Sequence, residues 1–325
     1  MLEKEGLKGW NYAKEVILSQ ETRSPQLREV MNYITEQPDF FRPAVTSLCS
    51  QAVGGSSEIT VPTSASLILL GKAIGVHDDV IDDLKVRNQR RTAFGKFGKE
   101  MALILSDVLL FKAFTLLRGN IEMGIPYRAV NNILDTIDHI WFEQAEGEVL
   151  EIQSRRQTDL TPEKCLAKIR MRASEMEAIA RIGGVLGGGS EKEIAALGEY
   201  GRCIGTASLL RDELIDLLEL DTLRHRIENE SLPLPLICAL QSDRTRSNIT
   251  PMILKRELTK KHLRVISFAT DEAGGLTYTA KLIMQIVQEA VSTLSLLKTR
   301  SRELKILALS LPLDPEEWKP LMRSM

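Results

Sequence analysis

Two aspartate clusters, each set beside apolar helical sequence, constrain this chain more than any other feature. The first, Asp78-Asp79-Val80-Ile81-Asp82-Asp83, follows the run Leu67-Ile68-Leu69-Leu70, and the second, Asp212-Glu213-Leu214-Ile215-Asp216, follows Ser208-Leu209-Leu210. On a helix, residues four apart lie one turn above each other, so Asp78 shares a face with Asp82 and Asp212 with Asp216. Stacked carboxylates repel by roughly 0.2–0.5 kcal/mol even when exposed. Inside an apolar helix the cost is far larger unless a cation is present. A single DDxxD string is most simply a solvated helix face. A calcium loop needs alternating oxygen ligands and a central glycine, and Val80 and Ile81 break that pattern. A di-iron bundle needs Glu-x-x-His pairs, and the chain has none. Two clusters flanked by apolar helix therefore point to carboxylate faces that grip Mg²⁺, with diphosphate oxygens completing the octahedra.

Composition narrows the class. The 325 residues are 43% hydrophobic and 26% charged, which describes an ordinary globule with ample core. A net charge of −2 gives no general attraction to nucleic acid, and 5% aromatics are too few for a base-stacking platform. Cys49, Cys165, Cys203 and Cys238 have neither zinc spacing nor disulfide density, and read as buried small hydrophobes of a reducing compartment. The N-terminal sequence lacks a signal pattern and no uninterrupted apolar stretch reaches ~18 residues, so the expectation is a cytoplasmic protein without a transmembrane segment.

Helical periodicity is nearly continuous and strand alternation almost absent. The pattern predicts helices over about 25–37, 41–53, 61–87, 99–118, 127–153, 162–187, 190–220, 233–243 and 275–300. Thr161-Pro162 places a cap before a first-turn proline, and Ser190 with Glu193 forms a capping box after Gly187-Gly188-Gly189. Arg155–Leu160 and Gln241–Thr250 read as polar loops. With no composition break, a single all-α domain over 1–325, built of long antiparallel helices, is the economical reading.

The order of these signals resembles the trans-isoprenyl diphosphate synthase (polyprenyl synthetase) family from about residue 30 to residue 300. Phe41-Arg42-Pro43 is similar to the end of that family's Gly-Gly-Lys-Arg-Leu-Arg-Pro segment. His77 through Asp82 is similar to its first aspartate-rich motif, with Arg87 where the first arginine of the following pair belongs. Ser106-Asp107-Val108-Leu109-Leu110 resembles its Gly-Asp-x-Leu-Leu, Glu146 through Glu151 its acidic-glycine element, and Gly205 through Leu217 its second motif. Leu234-Pro235 and Ala239-Leu240 resemble the segment that closes the site. The resemblance implies an isoprenoid synthase fold, a homodimer and a deep cavity between helices. It implies that Asp78, Asp82 and Asp212 hold three Mg²⁺ ions on the diphosphate of an allylic prenyl substrate, with Asp216 and Glu213 as further ligands or bridges. Asp79, Arg87 and Arg211 would contact the substrate or metal-bound water.

Departures from the family pattern fall on the acceptor side. The pocket for isopentenyl diphosphate ordinarily uses a Lys, a His and two Args. Here Asp39 stands at the Lys position, Gly71 at the His position and Asn88 at the second Arg, so only Arg42 remains. The family's Lys-Thr pair falls near Met171-Arg172, where Arg170 or Arg172 would supply the missing charge. Arg224-His225-Arg226 replaces cationic contacts of the closing loop, or is a solvated helix end. Arg90 and Arg91 are the nearest residues that could rebuild the second diphosphate site. Three readings follow: elongation with isopentenyl diphosphate, a terpene synthase or prenyltransferase with another acceptor, and a partner subunit of a heteromeric synthase.

Overall fold

The structure, a computed structural model, describes residues 1–87, 89–297, 299–313 and 318. Among these the fold is all-α apart from one antiparallel ribbon, Val86–Arg87 against Arg90–Arg91. The chain forms two compact units. The first comprises Met1–Ile137, Ile179–Leu197 and Leu296–Leu304; the second comprises Asp138–Ala178, Gly198–Ser295 and the residues from Lys305.

The helix Val61–Ile81 is the axis of the first unit. Its apolar residues are not confined to one stripe, and a helix that is hydrophobic all round must be enclosed by others. Accordingly Leu67, Ile68, Leu69, Leu70 and Ala73 are all buried, against the helices Lys99–Leu116, Leu2–Leu18 and Phe41–Ala52. Burial of each large side chain contributes about 1.5–3 kcal/mol before entropy is counted. Hydroxyls stitch the closest pair: Ser66 Oγ donates to the Ala113 carbonyl and Ser106 Oγ to the Ala73 carbonyl, both at 2.9 Å. By length and composition Glu58–Ile81 is long and apolar enough to cross a membrane, contrary to the expectation from uninterrupted apolar runs, and 72% of its most apolar stretch is buried within the protein.

In the second unit the short helix Leu234–Ala239 is the core element, with Leu234, Leu236, Ile237 and Ala239 fully buried. It packs on Gly275–Thr293, Lys260–Glu272 and Pro162–Arg172. The approach is close enough to require glycine: a Cβ on Gly275 would stand 2.1 Å from the Pro235 carbonyl oxygen.

Several boundaries differ from the sequence reading. The helix expected over 61–87 stops at Ile81, and Val86–Arg87 instead pairs with Arg90–Arg91 in the ribbon. The helix expected over 162–187 breaks at Ala173 into Pro162–Arg172 and Ser174–Leu186. Most of the loop expected at Gln241–Thr250 is the helix Asp243–Ile253, whose buried face is only Ile249 and Ile253, one turn apart. Helices at Leu2–Leu18, Leu220–Asn229, Lys260–Glu272 and Ser301–Leu309 also went unpredicted.

Candidate active site

Both aspartate clusters lie on the last turn of their helices. Asp78 is in the final turn of Val61–Ile81 and Asp82 is its C-cap, its N–H still donating to the Asp78 carbonyl at 2.9 Å. Asp216 is the last residue of Glu191–Asp216, with Asp212 one turn before it. A helix C-terminus carries about half a negative charge, so each carboxylate pair adds to a potential that already attracts cations. The early end at Ile81 separates the cluster's members. Asp83 sits beyond the helix at φ 52, exposed and 3.3 Å from Lys85 Nζ. Asp79 is buried and accepts from Arg87 Nη2 at 2.8 Å. Arg87, anticipated on the diphosphate, is therefore held by Asp79 in this state. Asn88, anticipated at the second arginine position, lies outside the described residues.

The second cluster is embedded in a network of buried charges. Glu213 is 6% exposed and has both oxygens occupied: Oε1 accepts from Arg226 Nη2 at 3.0 Å, and Oε2 from the Leu234 N–H at 2.8 Å. Anticipated among the metal ligands, this carboxylate here fastens the segment entering Leu234–Ala239. Arg226 also reaches Asp216 Oδ2 at 3.4 Å and pairs with Glu230. Burial would strip its proton, yet the carboxylates of Glu230, Glu213, Asp216 and Glu151 outweigh it and hold the guanidinium charged. Burial pushes the Asp216 carboxyl up to about 7; Arg226 opposes this, while Glu230, Glu213 and Asp212 add to it. A carboxyl so raised is one that a divalent cation would restore to its ionised form. Arg211, beside Asp212, is half-buried with its Nε out of reach of any hydrogen-bond partner.

A matching anchor lies three residues upstream of Leu234. Glu151 accepts the Ser231 N–H at 2.7 Å and pairs with Lys168 Nζ at 2.7 Å; both side chains are 4% exposed. Burial raises the Glu151 carboxyl, but Arg172, Lys168 and Arg226 together hold it well below the usual range. Arg172 Nη1 stands 3.8 Å from Glu151, whereas Arg170 turns to the exposed side, 4.0 Å from Glu289. Of the two candidates only Arg172 joins the acidic cluster. Sequence reasoning missed Lys168 and undervalued Arg226. The signal was available: Lys168 shares the apolar face of Cys165 and Ile169, and Arg226 that of Leu223 and Ile227, where a solvated charge has no place.

The residues expected on the acceptor side form one arrangement. Arg42 Nη1 pairs with Asp39 Oδ2 at 2.6 Å, and the other Asp39 oxygen accepts the N–H groups of Phe41 and Arg42 at 3.1 and 3.3 Å, starting the Phe41–Ala52 helix. The guanidinium lies directly over Gly71, where a Cβ would meet Arg42 Nε at 2.2 Å and Cζ at 2.5 Å. Next to it, Lys72 donates to the Gln37 carbonyl at 2.9 Å. Burial lowers its amine to about 8; Asp39 resists this, while Arg42 and Arg90 assist it. Arg90 is committed elsewhere, to Glu36 at 2.6 Å and the Tyr33 hydroxyl at 3.0 Å.

Among the described residues no three acidic, His or Cys side chains converge into a protein-only metal cage. Two aspartates per helix end instead suit Mg²⁺, which keeps water and substrate phosphates as most of its ligands.

Helix ends armed with paired carboxylates, in an all-α fold, are what the resemblance to isoprenoid synthases implies, and the comparisons show that class. The polyprenyl synthetase family model matches residues 24–267. The short chain isoprenyl diphosphate synthase of Methanothermobacter thermautotrophicus is 30% identical over 254 residues, 77% of this chain and 73% of that protein. The geranylgeranyl diphosphate synthase of Methanosarcina mazei is 25% identical, over 85% of this chain and 86% of its own. The crystal structure of geranylgeranyl pyrophosphate synthetase from Pyrococcus horikoshii superposes with a TM-score of 0.85 at 22% identity, covering 96% of this chain and 97% of that one. The chain belongs to the polyprenyl synthetase family and is a prenyltransferase.

Proposed function

We propose that this chain ionises an allylic prenyl diphosphate in a Mg²⁺-dependent step and joins the resulting cation to isopentenyl diphosphate, giving a longer trans-polyprenyl diphosphate. The observation that carries the reading is the placement of Asp78–Asp82 and Asp212–Asp216 on the terminal turns of their helices. These four carboxylates would hold the ions, whose chemistry is to neutralise charge on the departing diphosphate. Arg172 and Arg211 would add charge-assisted hydrogen bonds to the same oxygens, and Arg87 would do so on leaving Asp79. Glu213 and Glu151 position rather than react, by fastening the backbone at Leu234 and Ser231. The working unit is one isoprenoid synthase domain over 1–325, acting in the cytoplasm as a homodimer. Phe111, 76% exposed on the first unit, supports a partner surface there. Light scattering should give twice the 36.4 kDa chain mass.

A second reading rests on Asp39, Arg42 and Gly71. An arginine neutralised by an aspartate and laid across a glycine is a poor receptor for a trianionic acceptor. It favours a prenyl acceptor without a diphosphate, or termination of the cation as an olefin or alcohol. One experiment separates the readings: purified protein and Mg²⁺ are given geranyl, farnesyl or geranylgeranyl diphosphate, each with and without isopentenyl diphosphate, and the products are resolved by chromatography. Elongation requires the first reading. Diphosphate release with olefin or alcohol in the absence of isopentenyl diphosphate requires the second. No turnover under any condition overturns both and leaves the partner-subunit role.

A further inference from the structure

At the opposite end of the Val61–Ile81 helix from Asp78, the first unit has an open polar cleft of about 270 Å³. A water takes up ~30 Å³ in the liquid, so this space is several times larger than an ordered water needs. Its walls are rich in donors: the cations Lys4, Lys8 and Arg300 and the hydroxyls of Ser57, Thr60 and Ser64. Glu5 is the one acidic residue in the lining.

Ser64 is the telling residue. It is 1% exposed and its Oγ has no hydrogen-bond partner, whereas the neighbouring Thr60 hydroxyl donates to the Ser57 carbonyl at 2.7 Å. A buried hydroxyl left unmade costs about 1–3 kcal/mol, and in native proteins such a group is met by an ordered water or a ligand. The wall opposite is drawn in by Gly9, where a Cβ would meet Pro43 Cβ at 2.8 Å and Ser64 Cβ at 2.9 Å. Lys4 and Lys8 are one turn apart on that same Leu2–Leu18 helix and so share a face. Neighbouring acids temper the charge. Lys8 pairs with Glu58, and Arg300 is braced by Glu5 at 2.9 Å, Gln51 Oε1 at 3.1 Å and Glu303 at 2.5 Å. Those bonds also fix the Arg300 side chain, so its position is set before any ligand arrives. The start of the Val61–Ile81 helix adds about half a positive charge.

We propose that this cleft binds a small phosphate-bearing anion, of the diphosphate class, at a site separate from the aspartates. The Lys4 ammonium, which pairs with no carboxylate among the described residues, the pre-set Arg300 and the unmet Ser64 hydroxyl call for a ligand made of acceptors. The site goes beyond the prenyl-transfer reading and does not depend on it.

The test is calorimetric titration of the full chain with inorganic diphosphate in the presence of EDTA, which removes metal-dependent binding at the aspartates. Saturable binding at one site per chain is expected, and Asp78→Asn should leave it unchanged. Ser64→Ala should weaken it tenfold or more, the worth of one hydrogen bond to a charged group. The same substitution should leave the melting temperature of the free protein equal or higher, since an orphaned polar group is removed. Lys4→Gln with Lys8→Gln, both exposed positions that do not threaten folding, should weaken binding at least severalfold. Geranyl diphosphate that competes identifies the head group of a prenyl chain as the ligand, and failure to compete identifies the free anion; either supports the site. Absence of saturable binding in EDTA, binding indifferent to both the Ser64 and the lysine variants, or loss of binding in Asp78→Asn overturns the proposal.

Discussion

Lys168→Met is the sharpest probe of the second unit. The substitution keeps side-chain length but removes the ammonium 2.7 Å from Glu151, in a place where both partners are 4% exposed. Removing one member of a buried pair costs about 3–5 kcal/mol, because the other charge stays buried. At ~2–4 °C per kcal/mol for a body of 150–250 residues, the melting temperature should fall by roughly 6–20 °C. Arg172, 3.8 Å from Glu151, remains and argues for the lower half of that range. The double variant Lys168→Met, Glu151→Gln removes the stranded charge while leaving an acceptor for the Ser231 N–H, and should recover most of the loss. The pH dependence carries an independent sign. Glu151 titrates below the usual carboxylate range when folded, so its stabilisation is full above an unfolded pKa of ~4.3 and is lost as pH falls through the lower folded value. That acid-side loss should be shallower in Lys168→Met. Urea titrations at pH 7 and pH 3.5, with both variants beside the parent, provide the measurement. A cost below ~1 kcal/mol, or a double variant no better than the single one, would refute the view that this pair is an anchor.

Asp78→Asn and Asp212→Asn should each abolish prenyl transfer while leaving the chain folded; product assays and melting curves check both halves. Gly71→Ala should destabilise by about 1–3 kcal/mol, because its Cβ must displace the Arg42 guanidinium, and Arg42→Ala in the same chain should restore tolerance, as urea unfolding would register. Lys72 titrates near 8 in the fold, against 10.5 normally, so a penalty on its charged form is full below 8 and disappears as pH rises towards 10.5. Parent stability should therefore gain on Lys72→Met between pH 7 and pH 10, a difference readable from melting curves at the two ends.

The helical class and the aspartate pairs were legible because their signals are local: a 3.6-residue period and an i, i+4 spacing. What lay beyond local signals was where a helix stops and which charges are buried. Nothing in Val80-Ile81-Asp82-Asp83 marks the end of a helix; in the fold Asp79 pairs with Arg87, and Arg90 with Glu36, 54 residues away. Asp243–Ile253 looked like a loop because its composition is polar, and two buried isoleucines sufficed to hold it. Glu213 is expected among the ligands on spacing alone. Its contacts run to Arg226 and Leu234, 13 and 21 residues away, and no spacing rule reaches that far.

The guanidinium lying across Gly71 also bears on how this chain can change its sequence. A histidine at 71 alone would collide with Arg42, and a lysine at 39 alone would leave that arginine facing a second cation instead of its partner carboxylate. Each single step towards the family's usual pattern is therefore penalised by the other, and only a joint exchange escapes. Positions 39, 42 and 71 should consequently vary as a block among descendants of this chain, and a library that randomises them one at a time will find a barrier where a combinatorial library finds a path.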